Sequence, residues 1–438
     1  MLAVGGGGSV GRRGGGVGVD VVVIGAVVAV GVVVAGLVND IGGGEYSAQI
    51  PGCDVVEPAV EPQRVNFGWV GHRSYDNPQY PWFSGPKATA MTAALAEALP
   101  EDSELVFAPP SQSLSFEPIL GVYEESNLPE GVAAEDVGGS TSAQGTLTRG
   151  ESSGLLTVDV RRALSTELPP CVAGELDRRS TLPDGAVLDI EETAHGRARS
   201  VMAYLPDGTG MWVRAEGEES GPASLTIEEL TAIVTAPGLR VTAPVPAGTL
   251  SPPEPCSAKE DEPATYEFDR ATVDRLNGAL DDHWRLPSAG PATLDRPLGS
   301  LRLSDLDAGR SGVCEELTVT TPEAKSRLRV SIVAEAPPRV EEPERPHGPR
   351  RSISTLPDGT VVERVEAAPS VAEGPDSAKA TETIRSVTAT KPSGIQIRVS
   401  SSAQAPADPL GIDELEAIAA APGLELQFSR TCRRPGVD

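Results

Sequence analysis

Apolar and polar residues alternate over short runs in two separate parts of the chain. Residues 186–192 (AVLDIEE) and 360–366 (TVVERVE) follow this pattern, which is typical of half-buried β-strands. Residues 198–215 read as two further strands around the turn LPDG, and residues 383–400 repeat that pattern around KPSG. Both turns favour a hairpin, because proline fixes φ and glycine accepts a positive φ. The pattern therefore predicts antiparallel strands in both parts.

A helical pattern follows each group of predicted strands. Residues 225–239 (LTIEELTAIVTAPGL) and 410–424 (LGIDELEAIAAAPGL) carry apolar residues at helical spacing, so each predicts one amphipathic helix. In the first stretch, Thr226 and Glu229 fit a capping box at the helix N-terminus. Pro-Gly follows both stretches and predicts where the helices end.

The elements recur in the same order, which indicates a duplicated module. A further pair of helical stretches precedes the strands, in which Leu95 and Leu99 match Leu276 and Leu280. We predict the α+β fold class with two tandem modules after one N-terminal transmembrane helix. Each module is expected to be an antiparallel β-sheet with a helix at its start and a helix at its end.

The modules are predicted at residues 87–245 and 265–430. Residues 246–264 form a proline-rich linker, which we expect to act as a semi-rigid spacer that keeps the modules apart. Residues 1–19 are predicted to be a short cytoplasmic glycine-rich tail, and residues 20–39 a transmembrane helix or signal anchor. Residues 40–86 are predicted to be an extracytoplasmic linker and insertion rich in aromatic residues and proline.

One long apolar run, residues 21–38, contains no charged residue. Its length is about that needed to cross a hydrocarbon core of about 30 Å as a helix. Arg12 and Arg13 precede it and acidic residues follow it, so the positive charge places the N-terminus in the cytoplasm and the rest of the chain outside. A cleaved signal peptide is the alternative, although no clear cleavage site follows the run. The favoured location is the plasma membrane, with a single pass.

The chain has 438 residues, enough for two or three domains, and a formal net charge of −27. This charge argues against nucleic acid and anionic membrane surfaces as partners, because both would repel the protein. Aromatic residues make up only 4 % of the chain, so the cores must rely on small aliphatic side chains.

Five cysteines are widely spaced: Cys53, Cys171, Cys256, Cys314 and Cys432. In an exported protein such cysteines usually pair, and two arrangements respect the duplication. One pairs Cys171 with Cys256 and Cys314 with Cys432. The other pairs Cys53 with Cys171 and Cys256 with Cys314. The first is preferred, because it leaves the odd thiol of Cys53 outside both modules.

The TLPDG strand start, the second Pro-Asp/Ser-Gly hairpin and the final helix motif occur in both copies. Together they resemble membrane-anchored, exported proteins of high-GC actinobacteria, for which no activity is known. The resemblance covers the larger part of the chain. It implies a single-pass envelope protein and brings no catalytic residues to this sequence.

The pattern G-x-S-x-G occurs at residues 150–154, with Ser152 at its centre. A serine-hydrolase elbow has a strand before this motif and a helix after it. Alternating residues flank the motif on both sides here, so strand, turn and strand are predicted instead. Calcium-loop and P-loop motifs and Cys/His clusters with metal spacing are absent from the sequence. We therefore predict no catalytic residue, no cofactor and no metal site.

Aromatic residues are concentrated in residues 67–83 (FGWVGHRSYDNPQYPWF), a segment that is mostly absent from the second copy. Such side chains can stack on sugars or clasp a partner protein, because they bury a large area at a small entropic cost. The alternative is a linker whose aromatic side chains pack against the first module or lie at the membrane interface. The candidate ligand- or partner-binding residues are Trp69, Tyr75, Tyr80, Trp82 and Phe83.

The duplication, the acidic composition and the lack of a catalytic motif favour one function. We predict a non-catalytic, membrane-anchored cell-envelope protein with a duplicated module that binds a ligand or partner. Its expected partners are the membrane through the N-terminal helix and an envelope protein or a cell-wall or glycolipid ligand, with no nucleic acid. An exported hydrolase with an irregular active site is the alternative.

Overall fold

A computed structural model describes residues 49–59, 71–122, 139–163, 167–218, 221–254, 256, 267–284, 292–304, 312–334, 350–371 and 381–426. The strands of the N-terminal half are β1 (Val56–Glu57), β2 (Gly71–Ser74), β3 (Glu104–Leu105), β4 (Ile119–Val122), β5 (Ser140–Arg149), β6 (Ser152–Arg162), β7 (Cys171–Val172), β8 (Arg178–Thr181), β9 (Val187–Glu192), β10 (Ala198–Tyr204) and β11 (Thr209–Gly217). Those of the C-terminal half are β12 (Thr293–Leu294), β13 (Arg302–Leu303), β14 (Gly312–Thr320), β15 (Lys325–Val333), β16 (Arg350–Thr355), β17 (Val361–Val371), β18 (Thr381–Thr390) and β19 (Gln396–Gln404). The α-helices are α1 (Gly85–Ala98), α2 (Ile227–Thr235), α3 (Arg270–His283) and α4 (Ile412–Ala419).

Two large antiparallel sheets dominate the described chain. The first has the strand order β3-β5-β6-β11-β10-β9-β8. The second has the order β12-β14-β15-β19-β18-β17-β16, and β13 also pairs with β14. Two small sheets, β1-β7 and β2-β4, accompany the first.

The predicted α+β class with a leading transmembrane helix is wrong. The described chain is mostly β, since its four helices have only 14, 9, 14 and 8 residues and the central strands of both sheets are long. The sequence reasoning gave the short helical stretches the same weight as the strands.

Within the described ranges, no helix is both long enough and apolar enough to span a bilayer. The apolar run at residues 21–38 lies outside the described residues, as do the predicted tail and residues 40–48 and 60–70 of the segment that follows it.

The two sheets can be compared position by position through their central strands. Val213 on β11 lies between Val158 on β6 and Val201 on β10. In the second sheet Val399 on β19 lies in the same way between Val330 and Val387. All six valines are fully buried. Counting along the strands from these two rows assigns each residue of the first sheet an equivalent in the second.

Each sheet buries its apolar side against its own pair of helices. Met91 and Leu95 of α1 and Leu230 and Ile233 of α2 belong to the core of the first sheet. In the second sheet, α3 and α4 contribute the equivalent buried residues: Leu276, Leu280, Leu415 and Ile418.

The predicted capping box at the start of α2 is confirmed, because Thr226 Oγ1 accepts from Glu229 N and Glu229 accepts from Thr226 N.

The Pro-Gly sequence after each final helix touches the first helix of the same sheet. A Cβ on Gly238 would lie 2.5 Å from the Cβ of Ala94, and one on Gly423 would lie 2.9 Å from the Cβ of Ala279. Ala94 is thus equivalent to Ala279. This equivalence shifts the predicted match of the first helices by one turn, because Met91, not Leu95, now aligns with Leu276.

We predict that Gly238→Ala destabilises the protein by about 1–3 kcal/mol, because the added methyl group overpacks the contact with Ala94. Chemical denaturation followed by tryptophan fluorescence measures this. Gly278→Ala is the matched control, since Gly278 lies inside α3 with open space around its Cβ position. That control should gain about 0.5–1 kcal/mol from helix propensity, so equal effects of the two substitutions would contradict the packing role.

Two disulfides lie within the described residues, and they form the second of the two predicted arrangements. Cys53 pairs with Cys171 at a Cα–Cα distance of 6.2 Å, and Cys256 pairs with Cys314 at 6.0 Å. The preferred pairing of Cys171 with Cys256 is therefore wrong. Cys432 lies outside the described residues.

The preferred pairing failed because the cysteines do not occupy repeated positions. Cys314 is on β14, and its equivalent on β5 is Ser142. Cys171 instead follows β6 and lies beside Ile50 and Leu176 in a small apolar cluster. Disulfides form and persist in oxidising compartments, so the described part of the protein lies outside the cytoplasm.

The chain just before the predicted linker, residues 246–264, is held by α1. Lys87 of α1 is buried, and its Nζ donates to Arg240 O at 2.7 Å and to Ala243 O at 2.5 Å. Burial lowers the pKa of Lys87 to about 8, against the attraction of Asp207. Within the linker, Cys256 is disulfide-bonded to the second sheet.

Side chains also connect the two sheets directly. Arg270, at the start of α3, lies over the ring of Phe107 with 5.1 Å between its Cζ and the ring centroid. Its Nη2 also donates to Leu105 O at 3.4 Å. Phe107, which follows β3 of the first sheet, packs against the core of the second.

Candidate functional site

The predicted aromatic residues that the structure describes pack against the first core. Phe83 is buried, and Tyr75, Tyr80 and Trp82 are partly buried against the same core. The ring centroid of Phe83 lies 6.1 Å from that of Tyr75 and 5.3 Å from that of Trp82. Tyr75 Oη donates to Phe116 O at 3.2 Å.

All four side chains therefore pack against the first core, as in the alternative interpretation of the segment, and Phe83 also contacts Tyr75 and Trp82. Trp69 lies outside the described residues. Binding of a ligand by the aromatic segment stays a prediction.

The G-x-S-x-G motif forms the turn between β5 and β6. Ser152 is the first residue of β6 and pairs with Arg149, so only Gly150 and Glu151 connect the two strands. A strand follows the serine where a nucleophile elbow has a helix. A shallow depression beside the turn is lined by Glu151, Ser152, Ser153, Glu218, Gly221 and Pro222. No histidine is among these lining residues, and the titratable side chains there are those of Glu151 and Glu218.

The side of the first sheet that faces away from the helices carries a cluster of large side chains. Trp212 on β11 is directly opposite Met202 on β10, and Tyr204 is opposite Gly210. Gly210 has no side chain, and a Cβ there would lie 3.3 Å from Arg161 Cγ and 3.6 Å from Met202 Cε. Arg161 and Met202 thus lean over the glycine from either side. We call Trp212, Met202, Tyr204, Gly210 and Arg161 the Trp212 face.

Charged residues border the Trp212 face along one continuous row of the sheet. Asp159 on β6 lies next to Trp212, and Asp189 on β9 lies next to Met202. Arg179 on β8 donates to both carboxylate oxygens of Asp189, at 2.6 and 2.7 Å. This bidentate pair neutralises one end of the row, so the large side chains have little net charge beside them.

Partial desolvation changes the acid–base behaviour of two groups on this side of the sheet. Burial raises the pKa of Asp159 to about 6, against a hydrogen bond from Ser140 and the charge of Arg161. Burial and the charge of Asp189 raise the pKa of Tyr204 to about 12, so Tyr204 is a neutral phenol at physiological pH. Polar groups that are already partly desolvated lose less hydration when a partner covers them.

The second sheet has a different surface at the equivalent positions. Thr388 stands in place of Met202, Thr390 in place of Tyr204, and Arg398 in place of Trp212. The buried valines beside these positions are the same in both sheets, so the fold does not require the large side chains.

Sequence reasoning missed the Trp212 face, although a signal was present. The segments RSVMAY and RSVTAT match, and the alternation of the strands places their differing residues on one side. A comparison of the two copies at alternate positions would have singled out Met202, Tyr204 and Trp212. The aromatic segment at residues 67–83 drew attention instead, because its aromatic residues are contiguous.

Metal ligands are not concentrated anywhere in the described part of the chain. No group of three or more His, Cys, Asp or Glu side chains there could hold a metal ion.

No family model and no curated protein matches the chain. Among solved structures, a crystal structure of MucB in complex with MucA(peri) is 14 % identical over 76 % of this chain and 97 % of that chain, with a TM-score of 0.14. The Pseudomonas aeruginosa MucA/MucB complex is 12 % identical over 76 % of this chain and 97 % of that chain, also with a TM-score of 0.14. The di-domain ARO/CYC StfQ from the steffimycin biosynthetic pathway is 11 % identical over 74 % of this chain and 82 % of that chain, again with a TM-score of 0.14. At this TM-score the likeness says nothing about the function of this chain.

Proposed function

We propose that this protein is a non-catalytic, extracytoplasmic binding protein whose partner-binding surface is the Trp212 face. The observation that carries the proposal is the difference between the two equivalent hairpins. The first has Met202, Tyr204 and Trp212 on the side that faces away from the helices, and the second has two threonines and an arginine there.

The chemistry of the Trp212 face favours a protein partner. Tryptophan, tyrosine and arginine are the residue types that contribute most binding energy at protein interfaces, and Met202 adds an adaptable apolar side chain. The face is flat, since it lies on a sheet, and charged residues border it. A central apolar patch with a polar rim is the usual composition of a protein interface. An envelope protein fits this surface better than a glycolipid.

A photo-crosslinking amino acid at position 202 of the full-length chain tests the proposal in cells. We expect a crosslinked product with a second protein, and Trp212→Ala should reduce its yield about tenfold or more, as for a central interface tryptophan. The control places the crosslinker at position 390, the equivalent of Tyr204 in the second sheet, with Arg398→Ala in place of Trp212→Ala, because Thr388, the equivalent of Met202, is buried. Equal crosslinking from both positions would refute the proposal, as would a crosslinking yield that Trp212→Ala does not change. A crosslink to a glycan would show that the partner is a carbohydrate and not a protein.

The non-catalytic part of the proposal rests on the geometry of the Ser152 turn. A fluorophosphonate probe, which labels activated serines, should leave the folded full-length chain unlabelled. Labelling that Ser152→Ala removes would favour the exported hydrolase instead.

A further inference from the structure

The last strands of the two sheets, β8 and β16, are equivalent. Each leads into the same turn, with Leu182 N donating to Ala186 O in the first sheet and Leu356 N donating to Thr360 O in the second. Both strands lie at the edge of their sheet. Counting back from the turns makes Ile353 on β16 the equivalent of Arg179 on β8.

A turn of the chain, closed by the hydrogen bond from Cys53 N to Ile50 O, lies against the edge of the first sheet. Arg179 N donates outwards to Pro51 O at 2.9 Å. Gly52 has a φ of +85° and sits so close that a Cβ would lie 1.9 Å from Arg179 O. The disulfide between Cys53 and Cys171 holds this segment in place. We call residues 50–57 the edge strap, which carries two acidic residues, Asp54 and Glu57.

The equivalent edge of the second sheet has no such cover among the described residues. The backbone N–H of Leu356 points inwards and donates to Thr360 O. Backbone groups alternate in direction along an antiparallel strand, so the N–H and C=O groups of Arg351, Ile353 and Thr355 point outwards, away from the sheet. No described group bonds to these backbone atoms. The side chain of Ile353 is 45 % exposed. The second disulfide lies on β14, near the opposite edge of the sheet, and cannot hold a strap here.

Charge distinguishes this edge from the rest of an acidic protein. The strand begins with Arg350 and Arg351, and both are exposed, in a chain with a net charge of −27. Arg351 pairs with Glu363 at 2.9 Å, which leaves Arg350 as the positive group at the edge. Unpaired edge strands are templates for strand addition, and positive charge repels a second basic strand while attracting an acidic one.

We propose that β16 is a strand-addition site that binds an extended acidic segment of a protein partner. In the first sheet, one backbone carbonyl of the edge strap, Pro51 O, accepts an outward N–H of the equivalent edge. The positive charge of Arg350 favours an acidic occupant at the edge of the second sheet. Backbone hydrogen bonds to Arg351, Ile353 and Thr355 supply the affinity, and Ile353 and Arg350 supply the selectivity. This site is independent of the Trp212 face.

The probe is a fluorescein-labelled peptide with the sequence of residues 49–58 and serine at position 53, titrated into the full-length chain. We expect saturable binding that Ile353→Pro weakens at least tenfold, because proline removes the outward N–H. Proline is tolerated on edge strands, so the variant should fold. The control Ile353→Val keeps the N–H and should bind within about twofold of the parent chain. A peptide with Asp54→Lys and Glu57→Lys should lose most of its binding.

Amide hydrogen exchange gives a second readout that does not depend on the variant. The peptide should slow exchange at Arg351, Ile353 and Thr355 and leave β8 unchanged. No binding, binding that Ile353→Pro leaves intact, or protection confined to other strands would overturn the proposal. A concentration-dependent dimer that Ile353→Pro abolishes, with no peptide binding, would assign the edge to a second copy of the chain instead.

Discussion

Replacing Glu315 by glutamine should stabilise the protein at neutral pH and leave its stability near pH 4 almost unchanged. Glu315 lies on the core-facing side of β14 and is fully buried. Its equivalent in the first sheet is Ala143, which is also buried. The carboxyl accepts one hydrogen bond, from Ser300 N to Oε2 at 3.0 Å, whereas Oε1 has no partner.

Burial raises the pKa of Glu315 well above its ordinary value of 4.5. The charge of Asp281 raises it further, and the Ser300 hydrogen bond, Arg296 and Arg302 oppose the shift. The folded protein therefore keeps a proton that the unfolded chain loses. Stability from this group is complete below pH 4.5 and is lost as the pH rises towards the folded-state pKa, by about 1.4 kcal/mol per pH unit.

Glutamine cannot ionise, so Glu315→Gln should remove this pH dependence and raise the free energy of unfolding near pH 7 relative to the parent chain. Urea denaturation of the parent and variant at pH 4, 5.5 and 7 measures both effects. Glu323→Gln is the control, because Glu323 is an exposed carboxyl on the turn between β14 and β15. A variant that is equally destabilised at all three pH values would show that Glu315 is ionised and held by its arginine neighbours.

Removing the disulfide of the first sheet should have the largest effect on stability. Cys53 and Cys171 are separated by 118 residues, and a cross-link across a loop of about this length contributes about 4–5 kcal/mol in the chain-entropy model. We expect Cys53→Ser with Cys171→Ser to lower the free energy of unfolding by about 4 kcal/mol. The substitution also releases the edge strap, so amide exchange at β8 should accelerate most.

Cys432→Ser is the matched control, since it removes a thiol without opening either disulfide. It should leave both the unfolding transition and the exchange of β8 unchanged. If the double variant unfolded like the parent chain, the pairing of Cys53 with Cys171 would be wrong. Exchange that rises in β17 to β19 rather than in β8 would place the stabilising effect on the other sheet.

Local elements were predictable wherever neighbouring residues determine them. The hairpin around residues 205–208 is confirmed, because Gly208 N donates to Leu205 O and β10 pairs with β11 across the turn. The start of α2 is confirmed by the Thr226–Glu229 capping box. These signals depend on turn and cap chemistry, which acts over a few residues.

The candidate site was not predictable from contiguous sequence. Met202, Tyr204 and Trp212 are single large residues inside otherwise ordinary strands, and they become a surface only when β10 and β11 pair. Phe83, by contrast, belongs to the most aromatic stretch of the chain and is buried in the core. Aromatic content therefore pointed to side chains that pack against the first core, and the comparison of equivalent positions pointed to the surface proposed for binding.

The sequence by itself determined the duplication, the hairpins with their Pro-Asp-Gly or Pro-Ser-Gly turns, and the helical stretches, because each depends on local periodicity and turn chemistry. Only the tertiary structure decided which cysteines pair, why Gly238 and Gly423 must lack a side chain, and which edge of each sheet is covered. Those features depend on residues far apart in the chain that folding brings within a few ångströms of each other. The tertiary structure also decided the fold class. The individually short strand signals assemble into two large sheets, which contain more residues than the four helices of the described chain.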